Sequence, residues 1–262
     1  YNNQSDQNIK DIKKYIKTYK CNLCDFKKTK NIINSIKPDL IFHLASNADV
    51  RLSFDQPRNI ILNNNNSTIN LLESVRLSKL IKPLVIMCST SEVYGEVEKK
   101  DLPINENNYI NPNNPYAVSK TFQDLLAQNY FKNFGLKIII TRMFTYLNPK
   151  RTNLFASNWA NQVAKIERGE LKFLKHGNLG TTRTIVDIDD AMEAYWLAAT
   201  KGKIGQIYNI GGNKSIKLKN FLKLLTQHST SKIKTKIDKN LLRKSDITLQ
   251  IPSSKKFFKD TG

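Results

Sequence analysis

Four side chains near the middle of the chain have the types and spacing that proton transfer requires. Thr90 and Glu92 follow an apolar run at 84–88, and Tyr116 and Lys120 stand four residues apart in a segment that predicts a helix. Residues at that spacing share one helix face. A cation beside a phenol favours the phenolate, so we expect Lys120 to lower the pKa of Tyr116 and to bring proton exchange nearer to neutral pH.

The composition is that of a globular chain with a basic surface. Of its 262 residues 40% are hydrophobic, and the formal net charge is +20. The lysines are dispersed and no aromatic-interleaved basic motif occurs, so we expect no nucleic-acid partner and favour an anionic substrate. No apolar run approaches the roughly 20 residues of a membrane span, and no signal-peptide pattern is present. The composition therefore predicts a cytoplasmic protein without a membrane partner.

The cysteines do not predict a metal site. Cys21 and Cys24 form a single C-x-x-C pair, and Cys88 is the third cysteine. A structural zinc ion needs four ligands, and the chain has no second pair. We interpret the three residues as reduced thiols of a cytosolic protein.

Strand and helix patterns alternate over the first 150 residues. Strands are predicted at 39–46, 84–88 and 137–142, and helices at 29–36, 59–78 and 113–134. An amphipathic helix within 1–20 and a short strand with a turn at 20–25 are predicted before them. Such alternation predicts an α/β fold, a Rossmann-like doubly wound parallel sheet with helices on both faces. The strand at 39–46 has the continuous apolar character of a doubly covered strand.

The pattern loosens after residue 145. We expect helices at 154–167, 187–200 and 218–227, short strands at 171–174, 183–186 and 206–210, and a loop over 236–262. His43, Trp159, Tyr195 and Trp196 are expected to pack in the core. The second half is predicted to be a small α/β substrate lobe, so we place the domains at 1–150 and 151–262.

A feature of doubly wound sheets is missing from the front of the chain. Nucleotide-binding sheets normally begin with a strand, a glycine-rich turn and a helix N-terminus that holds the pyrophosphate. No glycine precedes Gly95. We therefore expect that at least one βα unit, roughly 30 residues or more, is lacking at the front.

Several segments carry motifs in a fixed order. They are H-L-A-S at 43–46, N-N-N-S-T-I-N-L at 64–71, T-S-E-V-Y-G at 90–95, Y-A-V-S-K at 116–120, N-P-K-R at 148–151, G-N-L-G-T-T-R at 177–183 and R-K-S-D at 243–246. Together they resemble the extended short-chain dehydrogenase/reductase family, and within it the enzymes of GDP-mannose conversion. The resemblance covers 22–262, with Asn22-Leu23 in place of the family's D-L and Phe144-Thr145 in place of its F-N.

The resemblance implies NADP or NAD as the cofactor and a GDP-sugar as the substrate. It assigns catalysis to Thr90, Glu92, Tyr116 and Lys120. It implies cofactor contacts for Asn22, Leu23, Leu44, Ala45, Ser46, Asn64, Tyr116 and Lys120. It implies substrate contacts for Ser91, Asn148, Arg151, Asn178, Arg183, Arg243 and Asp246.

The implied reaction is a lyase reaction, the 4,6-dehydration of GDP-mannose to GDP-4-keto-6-deoxymannose by internal hydride transfer. Tyr116 takes the proton of the 4-hydroxyl, and Glu92 adds the acid–base step of water elimination, which a ketoreductase does not need. Alternatives are a GDP-4-keto-6-deoxymannose reductase, another nucleotide-sugar epimerase or decarboxylase, and an inactive fragment or basic binding protein. The resemblance also implies a homodimer or homotetramer, formed through the helices at 59–78 and 113–134.

Overall fold

The computed structural model describes residues 8–242 and 245–262. Its α-helices are α1 Phe26–Ile36, α2 Val50–Asp55, α3 Pro57–Arg76, α4 Pro115–Phe134, α5 Phe155–Glu167, α6 Ile188–Thr200, α7 Leu218–Gln227 and α8 Lys255–Thr261. Its strands are β1 Leu40–His43, β2 Leu84–Thr90, β3 Ile138–Met143, β4 Leu174–His176, β5 Thr182–Thr184, β6 Ile207–Ile210, β7 Ser215–Lys217, β8 Thr235–Ile237 and β9 Leu249–Gln250.

A parallel sheet in the order β1-β2-β3-β6 forms the centre of the fold. β2 and β3 are rich in apolar and β-branched residues, and both are almost wholly buried because helices cover both of their faces. Within the described ranges β1 lies at the edge of this sheet, and only His43 of its four residues is buried. The expectation of a doubly covered strand at 39–46 is therefore met over four residues and only in part.

Helices cover the sheet on both faces. Val85 and Met87 of β2 pack with α1, α3 and α4, whereas Ile86 and Cys88, which alternate with them, pack with α6 and α8. The predicted α/β fold with a doubly wound parallel sheet is confirmed. No helix in the described ranges is both long and apolar enough to cross a membrane.

The C-terminal part of the chain has a core of its own. Trp159 and Val163 of α5 pack with Leu174 of β4 and with Leu218 and Leu222 of α7. Short strands complete this part, in the orders β4-β8 and β7-β5-β9. However, β6, α6 and α8 return to the central sheet, so the predicted division at residue 150 stays a prediction.

Both ends of the described chain differ from their predictions. Around the predicted N-terminal helix the structure has a 3-10 helix, Lys10–Tyr15, with no buried residue, and residues 1–7 lie outside the description. The predicted strand near residue 20 is a turn without a strand. The loop predicted over 236–262 is wrong, because this segment forms β9 and α8. These elements depend on distant partners, such as β5 for β9 and Tyr208 for Phe257 of α8.

A buried ion pair joins the middle of α4 to β3. Arg142 donates from Nε to Oδ2 of Asp124 at 2.9 Å and from Nη2 to Oδ1 at 3.1 Å, and the two side chains are 2% and 0% exposed. Ser89 also donates to Asp124, and Arg142 donates to the hydroxyl of Tyr94, which in turn donates to Asn209 of β6. The network therefore ties β2, β3, β6 and α4 together beneath the carboxyl ends of the strands.

We predict that Asp124→Asn destabilises the protein by about 3 to 5 kcal/mol, because it leaves the guanidinium of Arg142 buried without its carboxylate. Urea denaturation of the two proteins measures this loss. The matched control is Glu170→Gln, which removes the charge from an exposed pair with Arg168 and is expected to leave the midpoint unchanged. Equal midpoints for Asp124→Asn and the wild type would contradict the prediction.

Candidate active site

A cavity of about 470 Å³ opens where the central sheet meets the C-terminal part of the chain. It lies at the carboxyl ends of the parallel strands, where open α/β sheets bind ligands. Thr90, Glu92, Tyr116 and Lys120 all line it. The structure thus brings together the four side chains that the sequence predicts for catalysis.

A tight turn at the end of β2 positions Glu92. Thr90 Oγ1 accepts a hydrogen bond from the Glu92 amide at 3.3 Å, which caps the 3-10 helix Ser91–Tyr94. Gly95 ends this helix at φ 62°, and a Cβ atom there would collide with the backbone oxygen of Asn111. Glycine is required at this position because of both the backbone conformation and the close approach.

Tyr116 lies in the first turn of α4. Pro115 precedes it, where proline is tolerated, and Asn114 caps the helix by accepting from the Ala117 amide at 2.8 Å. The tyrosine ring is buried, and burial is the main reason that the pKa of Tyr116 is raised above its ordinary value. The charge of Glu92 raises this pKa further, whereas a hydrogen bond with Thr90 and the charge of Arg151 lower it.

Lys120 points at the backbone of β2. Its Nζ donates to the carbonyl oxygen of Cys88 at 2.5 Å, and burial lowers the pKa of Lys120 to about 8. The expectation that Lys120 lowers the pKa of Tyr116 is therefore wrong for this structure, in which burial raises it. Sequence spacing shows that the two side chains share a helix face, but it does not show how far water is excluded from them.

Five predicted substrate residues line the same cavity, namely Ser91, Arg151, Asn178, Arg183 and Asp246. Arg183 is buried and donates to the carbonyl oxygen of Ile247 at 2.7 Å, while Arg151 donates to that of Ala48 at 3.3 Å. Asn178 donates to the carboxylate of Asp246 at 2.9 Å. Two arginines and the hydrogen-bonded pair of Asn178 and Asp246 therefore line the same cavity.

Of the remaining two predicted substrate residues, Asn148 is not among the residues that line the cavity. The side chain of Asn148 accepts from the Lys150 amide at 3.0 Å, which shapes a turn. Arg243 lies outside the described residues. Neither residue gains support from the structure, and the roles of both stay predictions.

The predicted cofactor residues divide into two groups. Leu44 and Ser46 line the cavity with Tyr116 and Lys120, whereas Asn22, Leu23, Ala45 and Asn64 are not among its lining residues. Asn64 is fully buried and donates to the hydroxyl of Ser119 at 2.9 Å, so it joins α3 to α4. Cofactor contact stays a prediction for both groups.

The polar groups at the β1 side of the cavity fit the ribose end of a nicotinamide dinucleotide. Ser46 Oγ is buried and has no hydrogen-bond partner among the described residues. Lys120 carries three N–H donors, of which one is directed at Cys88. A hydroxyl-rich sugar offers acceptors to Lys120, and both donors and acceptors to the hydroxyl of Ser46.

Several cavity residues carry no motif in the sequence. They include Asp49, Phe155, Trp159, Tyr195 and Gln250. Trp159 and Tyr195 are buried as predicted and also line the cavity, whereas Trp196 is 57% exposed, so its prediction as a core residue is wrong. His43 is a core residue, since it hydrogen-bonds Thr68 at 2.8 Å and burial lowers its pKa to about 3.

Comparison with known proteins finds relatives that are named as nucleotide-sugar dehydratases and reductases. The family model described as GDP-mannose 4,6 dehydratase matches residues 1–262. A protein of Dictyostelium discoideum named dTDP-D-glucose 4,6-dehydratase is 35% identical over 204 residues, which cover 74% of this chain and 46% of that protein. A protein of Pseudomonas aeruginosa named GDP-6-deoxy-D-mannose reductase is 26% identical over 211 residues, covering 80% and 69%. The chain thus spans less than half the length of the Dictyostelium relative.

A solved structure matches the fold. The structure of RMD from Pseudomonas aeruginosa complexed with NADPH superposes with a TM-score of 0.87, covering 98% of this chain and 88% of that one. The two sequences are 22% identical over this match. The likeness shows the same fold, with a parallel sheet and flanking helices.

We predict that Lys120→Met stabilises the protein at neutral pH by roughly 2 kcal/mol. The folded pKa of Lys120, about 8, lies below its ordinary value of 10.5, so the buried ammonium destabilises the fold at neutral pH. Between these two values the unfolded chain binds a proton at Lys120 that the folded chain lacks, so the contribution of Lys120 to wild-type stability rises with pH. The advantage of the variant should therefore shrink as the pH rises through this window.

Urea denaturation of both proteins across that pH range tests the prediction. The matched control is Lys132→Met, at an exposed position of the same helix, which removes an ammonium that is already in water and should not stabilise the protein at neutral pH. A Lys120→Met protein that is less stable than the wild type at neutral pH contradicts the prediction.

Proposed function

This chain belongs to the GDP-mannose 4,6-dehydratase family of nucleotide-sugar dehydratases and reductases, and we propose that it carries the catalytic centre of a 4,6-dehydratase that converts GDP-mannose to GDP-4-keto-6-deoxymannose. The observation that carries this proposal is one cavity lined by Thr90, Glu92, Tyr116 and Lys120. A hydroxyl, a phenol and an ammonium suffice for redox chemistry at an alcohol. The carboxylate beside them supplies the acid–base step of elimination.

Thr90 and Tyr116 act on the 4-hydroxyl of the sugar. Both side chains hydrogen-bond its oxygen, and Tyr116 takes its proton as C4 becomes a ketone. The buried phenol has a raised pKa, so this step requires positive charge near Tyr116. Arg151 already lowers that pKa, and Lys120 lies on the same helix face. Ser46, Tyr116 and Lys120 would hold a nicotinamide dinucleotide beside C4, where it would supply reversible hydride transfer and would be regenerated in each turnover.

Glu92 carries out the elimination. The 4-ketone acidifies the proton on C5, and the Glu92 carboxylate removes that proton. The same carboxyl group then protonates the 6-hydroxyl, which leaves as water. The proton held by Tyr116 returns to C5 when the double bond is reduced, so the net change is the loss of one water.

Positive charge in the cavity supports a nucleotide sugar as the substrate. Arg151 and Arg183 line the cavity, and guanidinium groups pair well with phosphate oxygens. Asn178 and Asp246 offer an amide and a carboxylate to the nucleoside. The net charge of +20 favours the approach of an anionic substrate.

We assign NADP or NAD as the cofactor. Ser46, Tyr116 and Lys120 would hold its ribose and nicotinamide, while Leu44 packs beside them. The Pseudomonas structure with the same fold is a complex with NADPH, which supports this class of cofactor.

Incubation of the full-length protein with GDP-mannose and, separately, with dTDP-glucose tests the proposal. We expect a product one water lighter from GDP-mannose, detected by mass spectrometry. Glu92→Gln should lower kcat at least about 100-fold with little change in KM, because it removes the group that transfers the proton. The matched control is Glu98→Gln, an exposed carboxylate paired with Lys100. Dehydration at the wild-type rate by Glu92→Gln would sink the proposal.

A reductase is the second candidate, supported by the Pseudomonas relative named GDP-6-deoxy-D-mannose reductase, which aligns with 80% of this chain. A reductase consumes reduced nicotinamide with an added 4-keto-6-deoxy sugar and leaves GDP-mannose unchanged. Because this reaction involves no elimination, Glu92→Gln would retain it. The two candidates therefore give opposite results with the same variant.

We also propose that the protein forms a homodimer through α3 and α4, which pack against each other. Leu62 of α3 and Leu125 of α4 are 43% and 51% exposed, which leaves apolar surface in water. Leu125→Asp should halve the mass measured by light scattering. The matched control is Leu224→Asp on α7, where the leucine is also 51% exposed. A wild-type protein that is already monomeric at micromolar concentration contradicts this proposal.

A further inference from the structure

Two primary amides hold the carboxylate of Glu92 from opposite parts of the chain. Asn114 Nδ2 donates to Oε2 at 3.0 Å, and Gln250 Nε2 donates to Oε1 at 3.4 Å. Asn114 precedes α4, whereas Gln250 lies on β9 near the end of the chain. Each carboxylate oxygen thus has an amide donor. We infer that Gln250 is a positioning residue for Glu92, an inference that rests on the proposed dehydration.

The position of Gln250 is built into the strand pairing. β9 runs parallel to β5, with Gln250 in register with Arg183. Both residues line the cavity, and Gln250 is 3% exposed. A side chain that is buried at the end of a paired strand loses most of its rotamer freedom. The amide of Gln250 therefore reaches Glu92 from a rigid support.

Contacts on both sides of Gln250 join β9 to the loop that follows the 3-10 helix Ser91–Tyr94. Thr248 donates from its backbone amide and its hydroxyl to the carboxylate of Glu96. The Ile104 amide donates to the carbonyl oxygen of Ile251 at 2.8 Å, and the Ser253 amide donates to that of Ile104 at 2.7 Å. These contacts therefore hold β9 in a fixed position relative to Glu92, although Gln250 follows Glu92 by 158 positions in the sequence.

An amide is well suited to this position. It donates a hydrogen bond to the carboxylate but has no charge and no proton to lose in the accessible pH range. It therefore orients Glu92 without competing for the proton that Glu92 must take and return. Gln250 is also in register with Arg183. The pair of strands β5 and β9 therefore carries both Arg183, which is proposed to bind phosphate, and Gln250, which is proposed to orient Glu92.

Gln250 gives a cleaner test than Asn114. Asn114 also caps α4 and so supports the turn that carries Tyr116, which means that its removal changes two groups at once. Gln250→Met keeps the length and the apolar part of the side chain but removes the N–H donor. Gln250→Glu keeps the shape and places a second carboxylate beside Glu92.

Kinetics of the full-length protein separate positioning from general structure. For Gln250→Met we expect about a tenfold fall in kcat for dehydration, with KM for GDP-mannose and the Kd for GDP within twofold of the wild type. The first-turnover appearance of reduced nicotinamide, which reports C4 oxidation, should stay unchanged, while exchange of the C5 proton with deuterated solvent slows.

Gln250→Glu should lose more activity at neutral pH and regain part of it as the pH falls, because protonation removes the repulsion between the two carboxylates. Gln227→Met, on the exposed end of α7, is the chemical control.

The outcomes are distinguishable from failure of the proposed function. If the wild type dehydrates GDP-mannose and Gln250→Met keeps its kcat and its C5 exchange rate, the inference is overturned. A crystal structure of Gln250→Met gives a readout that needs no turnover, in which we expect the Glu92 carboxylate to leave its present position. An unchanged Glu92 conformation there overturns the inference even if the wild type dehydrates no sugar.

Discussion

The buried pair of Arg142 and Asp124 is the contact on which the geometry of the site depends. Asp124 lies one helical turn after Lys120, and Arg142 reaches past it to the hydroxyl of Tyr94, two residues after Glu92. One ion pair therefore connects the helix that carries the phenol and the ammonium to the turn that carries the carboxylate. A buried charge requires nearly complete pairing, since an unpaired one costs several kcal/mol. For that reason the relative positions of β2, β3 and α4 have little freedom.

Exclusion of water determines the electrostatics above this pair. Burial lowers the pKa of Lys120 and raises that of Tyr116, so it disfavours the charged form of both groups. In the proposed reaction the phenol must lose its proton, and the charge of Arg151 favours that loss. The site therefore combines a low-dielectric pocket with cations from both parts of the chain. The low dielectric also strengthens each electrostatic interaction inside the pocket.

The cavity is formed by two parts of the chain that meet at the ends of the sheet. The sheet supplies Thr90 and the start of α4, while β5 and β9 supply Arg183 and Gln250. Because Gln250 contacts Glu92 across this boundary, the proposed nucleotide site and the proposed acid–base group share one structural support.

The sequence by itself determined the elements whose signals are local. Periodicity placed α3, α4, β2 and β3 within a few residues of their bounds. The spacing of Thr90, Glu92, Tyr116 and Lys120 predicted that these four side chains meet, because one strand end and one helix face bring them together. Only the tertiary structure decided the rest. The direction of Lys120, the raised pKa of Tyr116 and the contact of Gln250 with Glu92 depend on burial and on strand register. Both are set by segments far apart in the chain, for which no local pattern of residues carries a signal.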